Sequence, residues 1–208
     1  MPLGIDQTSA FLVAAMLVTI SPGPDNLMVL GTGMSRGRAQ GVVFGLGCAL
    51  GCLSHTVLAA LGIGALIVAS PLAFGAMKIC GGLYLVWLGV QAFRNAGQVN
   101  VVAASQAKSL GGRFRKGLLA NAINPKVIIF FLSFLPQFVQ VERGQVAAQT
   151  ALLGVLFTCQ AAVIFGVLGY FSGTIGLWLN RHARAGVWLD RVAGTIFVGL
   201  GLRLVAAR

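Results

Sequence analysis

The chain has 208 residues, of which 57% are hydrophobic and 9% charged, with a formal net charge of +11. A soluble domain carries about 25% charged residues, so a mostly wetted surface is excluded and an integral membrane protein is expected. The basic residues fall mainly in short links between apolar stretches, where membrane topology accounts for them. No soluble basic face or aromatic platform remains for nucleic acid.

Six spans are predicted in chain order, at roughly 8–34, 41–69, 73–93, 117–139, 146–171 and 187–206. Each is near or above the roughly 20 apolar residues a crossing needs. The first 35 residues hold no Lys or Arg, so the basic leader of a signal peptide is missing and the first stretch is expected to be a retained span. That span is interrupted by Ser21-Pro22-Gly23-Pro24-Asp25-Asn26. From Ala39 to Met77 no side chain is formally charged, and Ser70-Pro71 separates spans two and three by a tight turn. Asn95 to Lys116 is the longest polar connection. Span four is interrupted by Asn124-Pro125-Lys126, and Gly144 to Asn180 is again free of charge.

The connection divides the chain into a first half (1–94), a cytoplasmic link (95–116) and a second half (117–208), together one transmembrane domain. Links 1–2, 3–4 and 5–6 carry nine basic residues: Arg36, Arg38, Arg94, Lys108, Arg113, Arg115, Lys116, Arg181 and Arg184. The opposite side carries three, Arg143, Arg203 and Arg208, while Lys78, Lys126 and Arg191 lie within or at the edge of spans. This bias places the odd links in the cytoplasm and both termini outside. Three spans per half require the second half to be inverted if the halves are related. Aligning Lys78–Phe93 with Asp190–Val205 matches Gly82 to Gly194, Val86 to Val198, Leu88 to Leu200 and Gly89 to Gly201. The fold expectation is therefore all-α, with six transmembrane helices in two inverted three-helix halves and helices one and four broken at proline motifs.

Broken backbone at membrane depth is tolerated only where it is buried in protein or lines a cavity, and paired breaks in two halves point to a transporter binding site. Proline lacks an N–H and clashes with the preceding turn, so one half-helix should end near Ile20 and another begin at Pro24. Ser21, Asp25 and Asn26 are expected to cap the restarting helix. Asn124 is expected as N-cap of the second, with Pro125 at its first position. Positive half-helix ends suit a carboxylate, and the freed carbonyls suit an ammonium group. Asp25 and Lys126 are the charged residues at the breaks. Asp25 reads as a functional carboxylate or a helix cap. Lys126 opposes the helix dipole, so it requires an anion, either Asp25 or a substrate carboxylate, unless it snorkels to an interface. Substrate binding is expected from Ser21, Pro22, Gly23, Pro24, Asp25, Asn26, Asn124, Pro125 and Lys126, and a coupling proton from Asp25 or His55.

Cys48, Cys52 and His55 share one face of span two. Soft ligands on a stripe make efflux of a metal ion, or of another small solute, the rival reading, set against cysteines that pack and a histidine that bonds neighbouring backbone. No fourth ligand supports a metal site, and none is assigned. A membrane redox enzyme would need a catalytic set or cofactor ligands; Cys80 and Cys159 complete four cysteines without CxxC spacing. No cofactor and no enzymatic activity are expected, and a structural scaffold would not need paired breaks. Gly41/Gly45 and Gly47/Gly51 allow close helix approach, by default within one subunit, and a homodimer is compatible with them. Trp87, Trp178 and Trp188 are packing or interface anchors, Gln91, Gln137 and Gln160 are candidates for a polar path, and His182 is a solvated or headgroup residue.

Ile20-Ser21-Pro22-Gly23-Pro24-Asp25, followed by Ser35-Arg36-Gly37-Arg38 and Gly41, resembles the LysE/RhtB family of bacterial amino-acid exporters. Gly82-Leu83-Tyr84-Leu85 with Trp87-Leu88-Gly89, and Asn124-Pro125-Lys126 with Phe130-Phe131 and Phe134-Leu135-Pro136-Gln137-Phe138, are similar to further blocks of that family. The similarity runs from about residue 8 to the C-terminus. It implies a multi-pass protein of the bacterial inner membrane that exports amino acids or close derivatives, energised by the proton gradient. Family members handle basic, neutral and sulfur-containing substrates, so the resemblance names no single amino acid. Position 25 is Asp where many members carry Asn, which leaves a uniform charge role for that position outside what the resemblance implies.

Overall fold

The computed structural model describes residues 3–94, 96 and 109–206. Among them the chain forms helices and no strands: α1 (Ile5–Ile20), α2 (Pro24–Arg36), α3 (Arg38–Ala69), α4 (Pro71–Arg94), α5 (Leu110–Ala122), α6 (Pro125–Ile129), α7 (Val146–Tyr170), α8 (Ser172–Arg181) and α9 (Ala183–Ala206). Most of the 95–116 connection lies outside the described residues, Lys108 included. Its last part is helical, because Ser109 caps α5 by accepting from the Gly112 amide (3.1 Å). Arg113 therefore sits on a helix instead of in a polar link. It is 2% exposed, and its Nε donates to Gln40 Oε1 on α3 (3.2 Å). Helix α8 falls in the expected link between spans five and six, where glycine at 173 and 176 gave little helical signal.

Helices α3, α4 and α7 are each long and apolar enough to cross a membrane. The pair α1 and α2, bent by 55°, and the pair formed by α5 and Pro125–Phe138, bent by 51°, make five if each counts as one span. Helix α9 has 24 residues but carries Arg184, Asp190, Arg191 and Arg203. After α6 the chain widens to a π-helical turn over Phe130–Phe134 and tightens to a 3₁₀ turn over Leu135–Phe138. Pro136 explains the change, since it cannot donate to the carbonyl four residues back.

Glycine decides which helices meet. Helix α3 packs against α7 on one side and α5 on the other, while α4 packs against α9. Gly41 approaches Gly169 of α7, and Gly45 the Phe165 carbonyl. On the opposite face Gly47 lies under the Phe114 carbonyl of α5, and Gly117 of α5 lies under the Phe44 carbonyl. Small residues allow backbones this close, and the expected glycine pairs act here within one chain. The turn from α2 to α3 needs Gly37, whose φ of 92° is a region other residues rarely enter.

Away from the α2–α3 turn, the bundle is closed by aromatic rings. Phe11, Phe130, Phe131, Phe134 and Phe157 are buried, with centroids of 5.0 Å for Phe130–Phe157 and 5.2 Å for Phe131–Phe157. Beside them Gln149 clamps the turn into α7. Its Oε1 accepts from the Gln140 amide (2.9 Å) and from Gln7 Nε2 (3.1 Å), while its Nε2 donates to the carbonyls of Gln140 (2.9 Å) and Gly144 (2.7 Å). Gln7 also donates to the Phe138 carbonyl.

Gly47→Val places methyl groups against the Phe114 carbonyl and should cost about 1–3 kcal/mol of stability, the usual range for overpacking. Gly199→Ala meets open space and should stay within about 1 kcal/mol of wild type. Thermal unfolding in detergent compares them, and equal midpoints would contradict the α3–α5 approach.

Candidate functional site

The first break starts where proline dictates: α1 ends at Ile20 and α2 begins with Pro24 at its first position. The capping, however, differs from expectation. Gly23 is the N-cap of α2 and no side chain caps it. Ser21 Oγ donates back to the Leu17 carbonyl (2.6 Å), and Asn26 Nδ2 donates to the Thr19 carbonyl (2.9 Å). The end of α1 leaves the Thr19 carbonyl for Asn26, while the Leu17 carbonyl also takes the Ser21 amide (3.1 Å), so the side chains serve the outgoing helix instead of the incoming one. The second break follows expectation. Asn124 Oδ1 accepts from the Lys126 amide (3.1 Å), with Pro125 first in α6.

The two breaks meet. Lys126 Nζ crosses from α6 to donate to the Ser21 carbonyl (2.7 Å) and lies 5.0 Å from the centroid of the Phe197 ring. Lys126 is 7% exposed and does not snorkel to an interface. Gly23 leaves room for this crossing, since a Cβ there would stand 3.2 Å from Nζ. The hydrogen bond answers a cation placed at a helix start, because a freed carbonyl of the other break supplies negative charge.

Asp25 is 3% exposed, and its Oδ2 accepts from Asn121 Nδ2 (2.7 Å). Its Oδ1 has no hydrogen-bond partner among the described residues. Asn121, fully buried on α5, is a hub that sequence reasoning missed. Its Oδ1 accepts from Cys52 Sγ (3.4 Å), and its backbone carbonyl lies 3.2 Å from His55 Nε2. The face of Cys52 and His55 thus turns toward Asn121, and His55 bonds neighbouring backbone. Its signal was available: an amide three residues before the Asn124 cap, inside an apolar span.

Lys126 borders two spaces. One, of about 20 Å³, has room for about one water and is lined by Asp25, Asn121, Asn124, Thr19, Cys52 and Lys126 among others. The other, of about 660 Å³, is lined by both breaks together with parts of α4, α7, α8 and α9. Seven of the nine expected binding residues, Pro22, Gly23, Pro24, Asn26, Asn124, Pro125 and Lys126, face the large cavity. Asp25 lines the small pocket instead, and Ser21 contributes its carbonyl to Lys126. Tyr84, Gln91, Asp190 and Phe197 also line the large cavity; of these only Gln91 was a candidate from sequence. Gln160 Nε2 donates to Thr19 Oγ1 (2.8 Å), and Gln137 Nε2 to the Ser133 carbonyl (3.3 Å). Cys48 and Cys52 are buried, Cys80 and Cys159 exposed, and all four are free. Among the described residues no group of three His, Cys, Asp or Glu side chains converges for a metal.

The sequence profile of the LysE type translocators matches residues 16–208. An uncharacterised membrane protein of Vibrio cholerae is 33% identical over 202 residues, covering 96% of each chain. The homoserine/homoserine lactone efflux protein of Salmonella typhimurium is 31% identical over 199 residues, again 96% of each. The threonine efflux protein of Escherichia coli is 34% identical over 211 residues, 95% of this chain and 98% of its own. No solved structure matches. With a profile match over nearly the whole length and full-length relatives above 30% identity, the chain belongs to the LysE type translocator family.

Proposed function

We propose that this translocator exports amino acids or close derivatives across the bacterial inner membrane, coupled to the proton gradient, from a site where the two helix breaks meet. The observation that carries the reading is the Lys126–Ser21 contact, which joins both breaks at the wall of a 660 Å³ cavity. The names of the threonine and homoserine efflux relatives support amino acids as the class. In this reading Lys126 and the helix ends meet the substrate carboxylate, and carbonyls released by the breaks meet the ammonium. Asp25, in the water-sized pocket behind Gly23, and His55, joined to it through Asn121, are the candidates for the coupling proton.

Six spans in two inverted halves, 1–94 and 117–208 about a cytoplasmic connection 95–116, are part of the proposal, with α9 as the sixth span. Reciprocal packing supports the inversion: Gly82 faces the Gly201 carbonyl and Gly201 that of Gly82, while Gly89 and Gly194 face each other in the same way. The alignment of the two halves pairs Gly82 with Gly194 and Gly89 with Gly201, so it maps each of these contacts onto the other. The excess of basic residues on the odd links supports both termini outside. The large cavity is bordered by Leu30, Gln91, Ile175 and Gly186, all near those odd links, so in this orientation it is loaded from the cytoplasm. The aromatic plug and the Gln149 clamp then close the outer side. One protomer supplies both breaks, so the reading needs no second copy, and a homodimer is compatible with it.

Asp25→Asn and Lys126→Ala should each lower amino-acid counterflow in reconstituted vesicles at least about tenfold, a loss of about 1.4 kcal/mol in transition-state terms. Wild-type rates and affinity in both would remove these residues from the mechanism. Asn121→Ala strips Asp25 of a buried donor and should destabilise by about 1–3 kcal/mol. In a double-mutant cycle with Asp25→Asn, thermal unfolding should show coupling of about 0.5–3 kcal/mol. Additive effects would mean that the 2.7 Å contact does not carry the pair.

A further inference from the structure

We infer that the cavity selects amino acids with a large apolar side chain, aliphatic or aromatic, over small hydroxy amino acids. This rests on the exporter reading above. Lys126 is the cation on the cavity wall among the described residues, and its Nζ is held between the Ser21 carbonyl and the Phe197 ring. A carboxylate docked there lies beside Phe197 of α9, and the surrounding wall is contributed by Leu27 and Leu30 of α2, Leu88 of α4 and Leu168 of α7. Apolar surface thus arrives from four helices around one anchoring charge.

Each asparagine nearest the anchor has one polar atom engaged within the fold. Asn26 Nδ2 is bound to the Thr19 carbonyl and Asn124 Oδ1 to the Lys126 amide. Asp190 is too remote for a short side chain: it lies seven residues before Phe197, about 10 Å along the helix at 1.5 Å per residue. Gln91 lines the same cavity on α4, one turn beyond Leu88. Tyr84, one turn before Leu88, brings a ring packed on Trp87 with a centroid separation of 5.4 Å. A hydroxyl buried against this wall would forfeit hydrogen bonds to water with little in return, whereas an aliphatic or aromatic group replaces wetted apolar surface. The size agrees. At about 660 Å³ the cavity falls within the roughly 300–1,000 Å³ of sites for drug-sized ligands, so it admits leucine and phenylalanine without a steric limit.

The test is counterflow into vesicles holding the full-length protein, with L-leucine, L-phenylalanine, L-threonine and L-homoserine as competing substrates. Leucine and phenylalanine should have KM values at least about tenfold below those of threonine and homoserine, the scale on which apolar pockets discriminate. Leu88→Gln should narrow that ratio to about threefold or less by weakening the apolar pair, and Leu27→Gln serves the same end should Leu88→Gln fold poorly. Exchange of threonine or homoserine with leucine and phenylalanine inert, or a ratio unmoved by both variants, would overturn the class while leaving the exporter standing. Exchange of none of the common amino acids would overturn the exporter reading itself.

Discussion

The structure depends on one constraint: where a helix breaks inside an apolar bundle, every group the helix no longer satisfies must find another partner. At the first break Thr19 gives its carbonyl to Asn26 and Ser21 gives its carbonyl to Lys126. At the second, Asn124 takes the Lys126 amide. One lysine therefore serves both breaks, its backbone held by its own cap and its ammonium by the other half of the chain. Because the two breaks satisfy each other, neither could be made continuous without orphaning a buried group of its partner, at a cost of about 1–3 kcal/mol or more.

The prolines made the breaks legible in the sequence. The end of α1 at Ile20, the start of α2 at Pro24 and the Asn124 cap follow from a missing N–H and a fixed φ, both local properties. The partners were not legible, because they depend on which helices touch. Ser21, Asp25 and Asn26 are good capping types, and local chemistry alone pointed them at the α2 amides. In the fold they meet a richer supply of acceptors and donors, in the carbonyls of α1 and the amide of Asn121. Asn121 escaped notice for the same reason: a polar residue in an apolar span declares itself only when its neighbour across the bundle is known. Arg113 shows the converse. Counted as a link residue, it is buried once Ser109 starts α5 about two turns earlier and Gln40 meets its guanidinium.

The two ends of the bundle are built from different materials. One is closed by interlocked phenylalanine rings and a glutamine whose amide makes four hydrogen bonds, and little could separate there without exposing both at once. The other holds a 660 Å³ space whose walls come from seven helices, α1, α2, α4, α6, α7, α8 and α9, that each contribute only part of their length. A closed end and an open end in one bundle fit the proposed exporter, with its site reached from one side. The π-helical turn of Phe130–Phe134 belongs to the closed end, and such turns store an irregularity that a regular helix could absorb.

Lys126 stands between these ends and between the two pockets, which ties occupancy to geometry. Its Nζ has three donors, and one is spent on the Ser21 carbonyl. An anion arriving in the large cavity reaches the same nitrogen and must either share it or take it. On the proposed exporter reading, a substrate carboxylate, carrying full charge, is a stronger acceptor than a neutral carbonyl and competes with Ser21 for the ammonium. In that reading the contact between the end of α1 and the start of α6 is the one that substrate binding bears on. Gly23 leaves that contact unobstructed, since nothing larger than hydrogen stands between the first break and the lysine. In the proposed exporter, substrate recognition and the link between the two halves of the chain thus fall on one ammonium group, the one that joins the breaks through the Ser21 carbonyl.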